Sequence, residues 1–316
     1  MLLSYLLPLP CTTDVVDASH WMGNLIDEGY GNTPFPHLLM LGTHNSGYHE
    51  QLTCGSGFLA DVAKEYAQCQ QVNLQQQLDL GVRFFDIRIE CDGGGSDGND
   101  HLDFSHGICN DGDPETEIRQ VHAWLVAHPQ EVVVMSFRGN LQDKEKSVQC
   151  QSQFDNVLNL FQDLAWDGES WPTLETMVAN NQRAVLIKYE YEVTNLPFVL
   201  DRFNLYEHTW SDTHTDDPEE LVTDIISFID RQTTSSLPAH KIWDVNMYAS
   251  PEGLGATPQQ LARNVNPRIP NVMTALERAR SRQVYFNALL VDYAGSYTGG
   301  YNVVQAIYEY NKLVAA

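Results

Sequence analysis

Short apolar runs rich in branched side chains recur along this chain, and helix-patterned stretches separate them. The runs are HLLMLG (37–42), RFFDIRI (83–89), EVVVMSF (131–137), RAVLIKY (183–189), KIWDVNMY (241–248) and YFNALLVDY (285–293), with FNLYEHT (203–209) as a weaker addition. Strands alternating with helices read as βα units around a parallel sheet. Two of the linking helices are well signalled. Asp113 caps EIRQVHAWLVAH, Pro114 suits its first turn, and Ile118, Val121 and Leu125 make one apolar stripe. In VNLQQQLDLG, Leu74 and Leu78 share a face and Gly81 supplies the stop. Seven or eight such strands fit a closed barrel or an open doubly wound sheet, and spacing alone leaves both open.

The ends of the strands carry more information than their middles. In VRFFDIRIE, the two-residue period puts Phe84, Asp86, Arg88 and Glu90 on one side of the strand. The same parity makes Arg138 close the row Val132, Val134, Ser136, while His44 closes Leu38, Met40, Gly42. Lys188 ends Ala184, Leu186, and Asp292 ends Phe286, Ala288, Leu290. Five strands thus finish in ionisable groups, and in a (β/α)8 barrel the C-terminal rim is where catalytic side chains gather. Taken singly, these residues have plainer readings: His44 in GTHNSG as a core histidine between turn glycines, His106 in FSHG as a turn histidine, Asp86 and Arg88 as a structural ion pair.

With 316 residues and 43% hydrophobic content, the chain can bury one large barrel or the cores of two domains. No internal repeat is visible, and the one compositional break, the Gly/Asp stretch at 92–100, is too short for a linker, so a single domain over 1–316 is expected. A net charge of −24 argues against nucleic-acid binding, which needs clustered Lys and Arg. It also argues against a polybasic lipid anchor. No apolar run approaches the roughly 20 residues that span a bilayer, so membrane contact is expected to be peripheral. Exposed aromatics would serve that contact, with Trp166, Trp171, Tyr297 and Tyr301 as candidates.

Six cysteines stand at 11, 54, 69, 91, 109 and 150 without the paired spacing of a zinc site. Cys91 and Cys109 bracket the Gly/Asp stretch, and Cys54 and Cys69 bracket the segment after GTHNSG. Two disulfides stapling those loops imply an oxidising compartment, hence a secreted protein, although six free thiols fit the sequence too. The apolar start MLLSYLLPLP lacks a positive n-region and holds two prolines, which makes it a poor signal peptide.

Two histidines suit acid/base catalysis, one neutral and one protonated, because imidazole titrates near neutrality. A carboxylate such as Asp292 can hold the base in its tautomer, and the planar fork of Arg88 suits phosphate oxygens. Together they suggest attack on a phosphodiester.

GTHNSG, LGVRFFDIR, FSHG, EVVVMSFR, VNMYASP and TPQQLARNVNP, in that order over 38–293, resemble the X-domain phospholipases C specific for phosphatidylinositol, in particular the small bacterial form. The resemblance implies a distorted TIM (β/α)8 barrel of α/β class. It implies cleavage of phosphatidylinositol to diacylglycerol and a cyclic inositol phosphate, with His44 as general base, His106 as general acid, Asp292 orienting the base and Arg88 on the phosphate beside Asp86. Eukaryotic relatives hold calcium where this chain has Asn45, Asp86, Arg88 and Arg138. Two cations among those four positions are expected to exclude Ca²⁺, which wants six to eight oxygens, so no metal and no cofactor are expected. Bacterial members usually carry Asp after the first histidine. Asn45 departs from that pattern, and as a neutral amide it can orient His106 without raising its pKa. Arg138 and Lys188 are expected to contact the substrate, and Glu207 or Trp210 the head group. A monomer that meets the phosphatidylinositol head group at a membrane surface is the implied protein. The alternatives are the same chemistry on another inositol phosphodiester, such as a glycosylated phosphatidylinositol anchor, and a barrel that binds an inositol or phosphate ligand without turnover.

Overall fold

A computed structural model describes residues 15–315 except 53, 56, 93–99, 108, 140, 142–146, 190–192, 208–214, 216, 237–240 and 250–254. Cys11 and Trp210 therefore lie outside the described residues, as does the side chain of Glu207.

Ten strands form one sheet: β1 (Met40–Thr43), β2 (Val82–Asp92), β3 (His101–His106), β4 (Cys109–Asp111), β5 (Val133–Arg138), β6 (Ala184–Lys188), β7 (Leu200–Asp201), β8 (Tyr206–Glu207), β9 (Ile242–Met247) and β10 (Ala288–Val291). The order β7-β6-β5-β2-β1-β10-β9-β8 is parallel throughout, and it is the chain order of eight strands wrapped into a ring. That is the circuit of a (β/α)8 barrel, opened at one seam. Among the described residues, β7 and β8 do not pair with each other; each is two residues long, and the one-turn helix Arg202–Leu205 joins them. The run FNLYEHT thus supplies a helical turn and a short edge strand rather than one full strand. The barrel is distorted at the place where its sequence pattern is weakest.

The signalled helices form. Asp113 caps Pro114–Ala127 by accepting from the Thr116 N–H, with Ile118, Val121 and Leu125 buried. Asn73 and Gln76 make a capping box on Leu74–Asp79, which Gly81 ends at a φ of 95°. The buried apolar side chains of strands and helices belong to one continuous core. Within it Gly42 stands in register with Phe84 on one side and Leu290 on the other, and a Cβ there would meet Leu290 Cδ2 at 2.4 Å. Its φ is not positive, so Gly42 is required by close packing inside the barrel rather than by a turn.

An antiparallel hairpin, β3 with β4, is folded onto the extended end of β2. It corrects the expected disulfides. Cys91 on β2 and Cys109 on β4 are separated by β3, and two strand spacings of about 4.8 Å put them beyond the reach of a bond. Cys109 instead joins Cys54, with Cα atoms 4.8 Å apart, and Cys91 joins Cys150 of the helix Ser147–Leu158, at 5.8 Å. Cys69 is left as a buried free thiol.

Candidate active site

His44 follows directly on β1. Its backbone N–H donates to the Val291 carbonyl of β10, and Gln70 ties the same two strand ends by donating to the carbonyls of His44 and Val291. The chain then turns through Asn45, whose φ of 44° suits an asparagine better than most side chains. Ser46 donates from its backbone to the Asp86 carbonyl at 2.7 Å. This turn fixes the imidazole in place: Nδ1 faces Asp292 Oδ1 at 2.8 Å, and the ring lies flat on Tyr248, with centroids 3.7 Å apart.

His106 arrives from another direction, at the end of β3. Gly47 allows the hairpin to lie against the GTHNSG turn, because a Cβ there would stand 2.1 Å from the Phe104 ring. The two imidazoles meet edge to face, with centroids 6.1 Å apart. Nδ1 of His106 is 2.7 Å from the Ala67 carbonyl oxygen, which can only accept, so Nδ1 carries a hydrogen and Nε2 is the nitrogen left to exchange a proton. Asn45 does not take the expected role of orienting this ring. Its amide points to Cys69 Sγ at 3.7 Å, and that sulfur lies 3.7 Å from His106 Nδ1.

Asp86 sits at the centre of the cationic part. Arg88 Nη2 donates to its Oδ2 at 3.2 Å, Arg138 Nε stands 3.3 Å from its Oδ1, and the Asn45 backbone N–H adds a bond to Oδ2. The register pairs Arg88 with Arg138 across β2 and β5, so one carboxylate faces two guanidinium groups. Arg88 Nε is buried without a hydrogen-bond partner, as is the Tyr248 hydroxyl. Arg138 also stacks on Tyr189, 3.8 Å from its ring centroid. Arg88, Arg138 and His106 line one cavity of about 420 Å³ together with Ser105 and Gly139. The Lys188 ammonium donates to the Thr194 carbonyl at 3.1 Å.

Burial and charge set the protonation states. Burial, reinforced by Arg88, holds His44 well below the ordinary imidazole value. Burial lowers His106 too, against the Ala67 hydrogen bond, which favours its charged form. Burial pushes Asp292 up, opposed by Arg88. Burial would also raise Asp86, but Arg88 and then Arg138 outweigh it and hold that carboxyl well below the usual range. With both Asp86 oxygens facing guanidinium groups, the positions Asn45, Asp86, Arg88 and Arg138 do not fit a calcium ion.

Cys69, Tyr248, Gln70 and the Ala67 carbonyl join the site without having been marked by the sequence. Tyr248 was within reach of the parity reading, since it extends the row Asp244, Asn246. Of the expected membrane-facing aromatics, Trp166 is buried and stacks on Trp171 with centroids 3.8 Å apart, so packing explains it. Tyr297 and Tyr301 are half-buried.

A family model described as PI-PLC X matches residues 34–234. The mouse PI-PLC X domain-containing protein 1 is 26% identical over 198 residues, covering 56% of this chain and 55% of that protein. The human PI-PLC X domain-containing protein 1 is 31% identical over 135 residues, covering 42% and 39%. The chain thus spans about half the length of the curated relatives it matches. Among solved structures, the phosphatidylinositol-specific phospholipase C of Listeria monocytogenes superposes with a TM-score of 0.67 at 18% identity, over 93% of this chain and 99% of that one. The Staphylococcus aureus enzyme gives 0.65 at 18% identity, over 93% and 97%.

Proposed function

The chain belongs to the PI-PLC X family, and from that membership and the geometry of its cleft we propose that it cleaves phosphatidylinositol without a metal ion. His44 Nε2 takes the proton of the inositol 2-hydroxyl while its Nδ1–H donates to the Asp292 carboxylate. The alkoxide attacks phosphorus, the bond to the glycerol oxygen breaks, and His106 Nε2–H protonates that oxygen. Diacylglycerol leaves, and inositol 1,2-cyclic phosphate remains. On the cyclic product the roles exchange, with His106 activating water and His44 protonating the inositol oxygen.

One observation carries this reading: the two imidazoles meet edge to face, and each has its Nδ1 engaged, His44 by Asp292 and His106 by the Ala67 carbonyl, which leaves both Nε2 atoms for chemistry. Burial supports a neutral His44 as base. An incoming phosphodiester brings a negative charge that favours the protonated form of His106. The unpartnered Arg88 Nε is a buried donor that phosphate oxygens would satisfy, and the Tyr248 hydroxyl is a second. Arg138, held by Asp86 and Tyr189, keeps Arg88 from being neutralised outright.

Contact with the lipid surface rests on different residues from those the sequence suggested. Phe58 and Leu59 are 79% and 80% exposed, side by side at the start of the helix Phe58–Ala67. The other end of that helix, about 13 Å further along its axis, supplies the Ala67 carbonyl to His106. Two disulfides suit an oxidising compartment and support an exported protein.

Release of cyclic inositol phosphate from phosphatidylinositol in detergent micelles, with a chelator present, tests the proposal. Turnover by the native chain that collapses in His44→Ala supports it. Absence of turnover with or without added Ca²⁺ overturns it in favour of a barrel that binds without catalysis.

A further inference from the structure

We propose that His44, Cys69 and Asp292 form a binding site for a thiophilic divalent ion such as Zn²⁺, and that the bound ion switches the base off. The three side chains come from separate segments and are all buried. One ligand atom from each lies within 4.8 Å of the other two, and no other such trio of His, Cys, Asp or Glu occurs among the described residues. Tetrahedral zinc, with bonds of about 2.0 Å to nitrogen or oxygen and about 2.3 Å to sulfur, sets ligands roughly 3.3–3.6 Å apart. The gap from His44 Nδ1 to Asp292 Oδ1, 2.8 Å, has to open by about half an ångström, and the sulfur has to close by up to about 1.2 Å.

The segment that carries the sulfur is held from both sides. The Cys69 N–H donates to the Tyr48 carbonyl at 3.1 Å, and its own carbonyl accepts from the Tyr293 N–H at 2.8 Å. Asn45 Nδ2, 3.7 Å from Sγ, is placed to donate to a thiolate, the outer-shell support that metal ligands commonly have. One sulfur, one imidazole nitrogen and one carboxylate suit zinc and cobalt, and fall well short of the all-oxygen set that Ca²⁺ and Mg²⁺ require. Asp86, the other buried carboxylate of the cleft, is held by Arg88 and Arg138 and does not compete.

Protons balance simply. On binding, the Cys69 thiol proton passes to solvent. The neutral imidazole coordinates through Nδ1 and keeps its single proton on Nε2. A His44 protonated at Nε2 cannot accept the inositol proton, and Asp292 no longer orients it. The inhibitory consequence rests on the phosphodiesterase reading above, whereas the binding itself does not.

Titration of the full chain with Co²⁺, followed by absorbance under non-reducing conditions, tests the site without turnover. The expected result is a thiolate-to-cobalt charge-transfer band that saturates at one equivalent and is abolished by Zn²⁺. It should be absent from Cys69→Ser and Cys69→Ala and retained in Cys11→Ser. Four of the six cysteines are disulfide-bonded, so a band that survives in Cys11→Ser is assigned to Cys69 even where neither Cys69 variant folds. No band at excess Co²⁺, or a band lost in Cys11→Ser, overturns the site. Zn²⁺ should also stop micellar hydrolysis, with recovery on adding a chelator and no effect of Ca²⁺. A cobalt band without zinc inhibition overturns the switch and leaves the site standing, while a chain inactive in chelator fails the catalytic reading alone.

Discussion

His44 and His106 differ in what holds them, and that difference should appear in the pH dependence. Both imidazoles sit below the usual value of about 6.5, chiefly through burial. The base works only when deprotonated, so kcat/KM rises as pH climbs through the lowered value of His44. The acid works only when protonated, so kcat/KM falls through the lowered value of His106. A bell centred on the acid side of neutrality is therefore expected from initial rates on a soluble inositol phosphodiester, and an alkaline optimum would contradict the assignment. Asp292→Asn keeps the shape of the pair but removes the carboxylate that fixes the Nδ1–H tautomer, and kcat should fall roughly 10²–10⁴-fold with the fold intact by circular dichroism. Arg88→Lys replaces a fork by a point charge, and the loss should fall mainly on kcat rather than on KM if the fork serves the transition state. His44 and the strand-end charges were legible because parity along strands fixes which side chains share a face, whereas His106 in FSHG was singled out by its motif and the family resemblance. The partners of the histidines were not. A backbone carbonyl has no sequence signature, and Cys69 reaches the dyad only because the chain folds back past it.

At the scale of elements, the β3–β4 hairpin decides whether there is a dyad at all. The loop between β1 and the helix Phe58–Ala67 is tied to it by Cys54–Cys109, which closes 55 residues of chain. Chain entropy alone gives such a crosslink about 4 kcal/mol, and measured losses run roughly 2–5 kcal/mol. Cys54→Ser with Cys109→Ser should lower the urea midpoint accordingly and reduce turnover, since the same hairpin carries His106. Gly47→Ala probes the contact without touching chemistry. The new methyl group meets the Phe104 ring, overpacking there costs about 1–3 kcal/mol, and activity should drop more than stability. The expected pairing of Cys91 with Cys109 failed for a reason of the same scale: neighbours in sequence were separated by an intervening strand.

For the whole molecule, the charge of −24 and the apolar pair Phe58 and Leu59 pull membrane binding in opposite directions. Replacing both residues with serine should weaken sedimentation with phosphatidylinositol vesicles and slow vesicle hydrolysis, while rates on a monomeric soluble substrate stay near native. Raising salt should strengthen binding to anionic vesicles, because screening relieves the repulsion over a Debye length of about 10 Å at 0.1 M. Equal rates for the serine variant on vesicles would show that the lipid contact lies elsewhere.

The alternation of strands and helices, the faces on which the charges fall, the Asp113 cap and Gly81 stop of the two signalled helices and the ionisable groups that close five of the strand rows could all be read from the amino-acid order. Each depends on local periodicity and local chemistry, which a chain carries with it. That the parallel strands wrap into a ring left open between β7 and β8, and which cysteines meet, emerged only on folding. So did the burial of Trp166 in the core and the gathering of Ala67, Cys69 and Tyr248 around the two histidines. Those outcomes depend on which distant segments come into contact, and such contacts are set by packing across the whole barrel rather than by any window of residues.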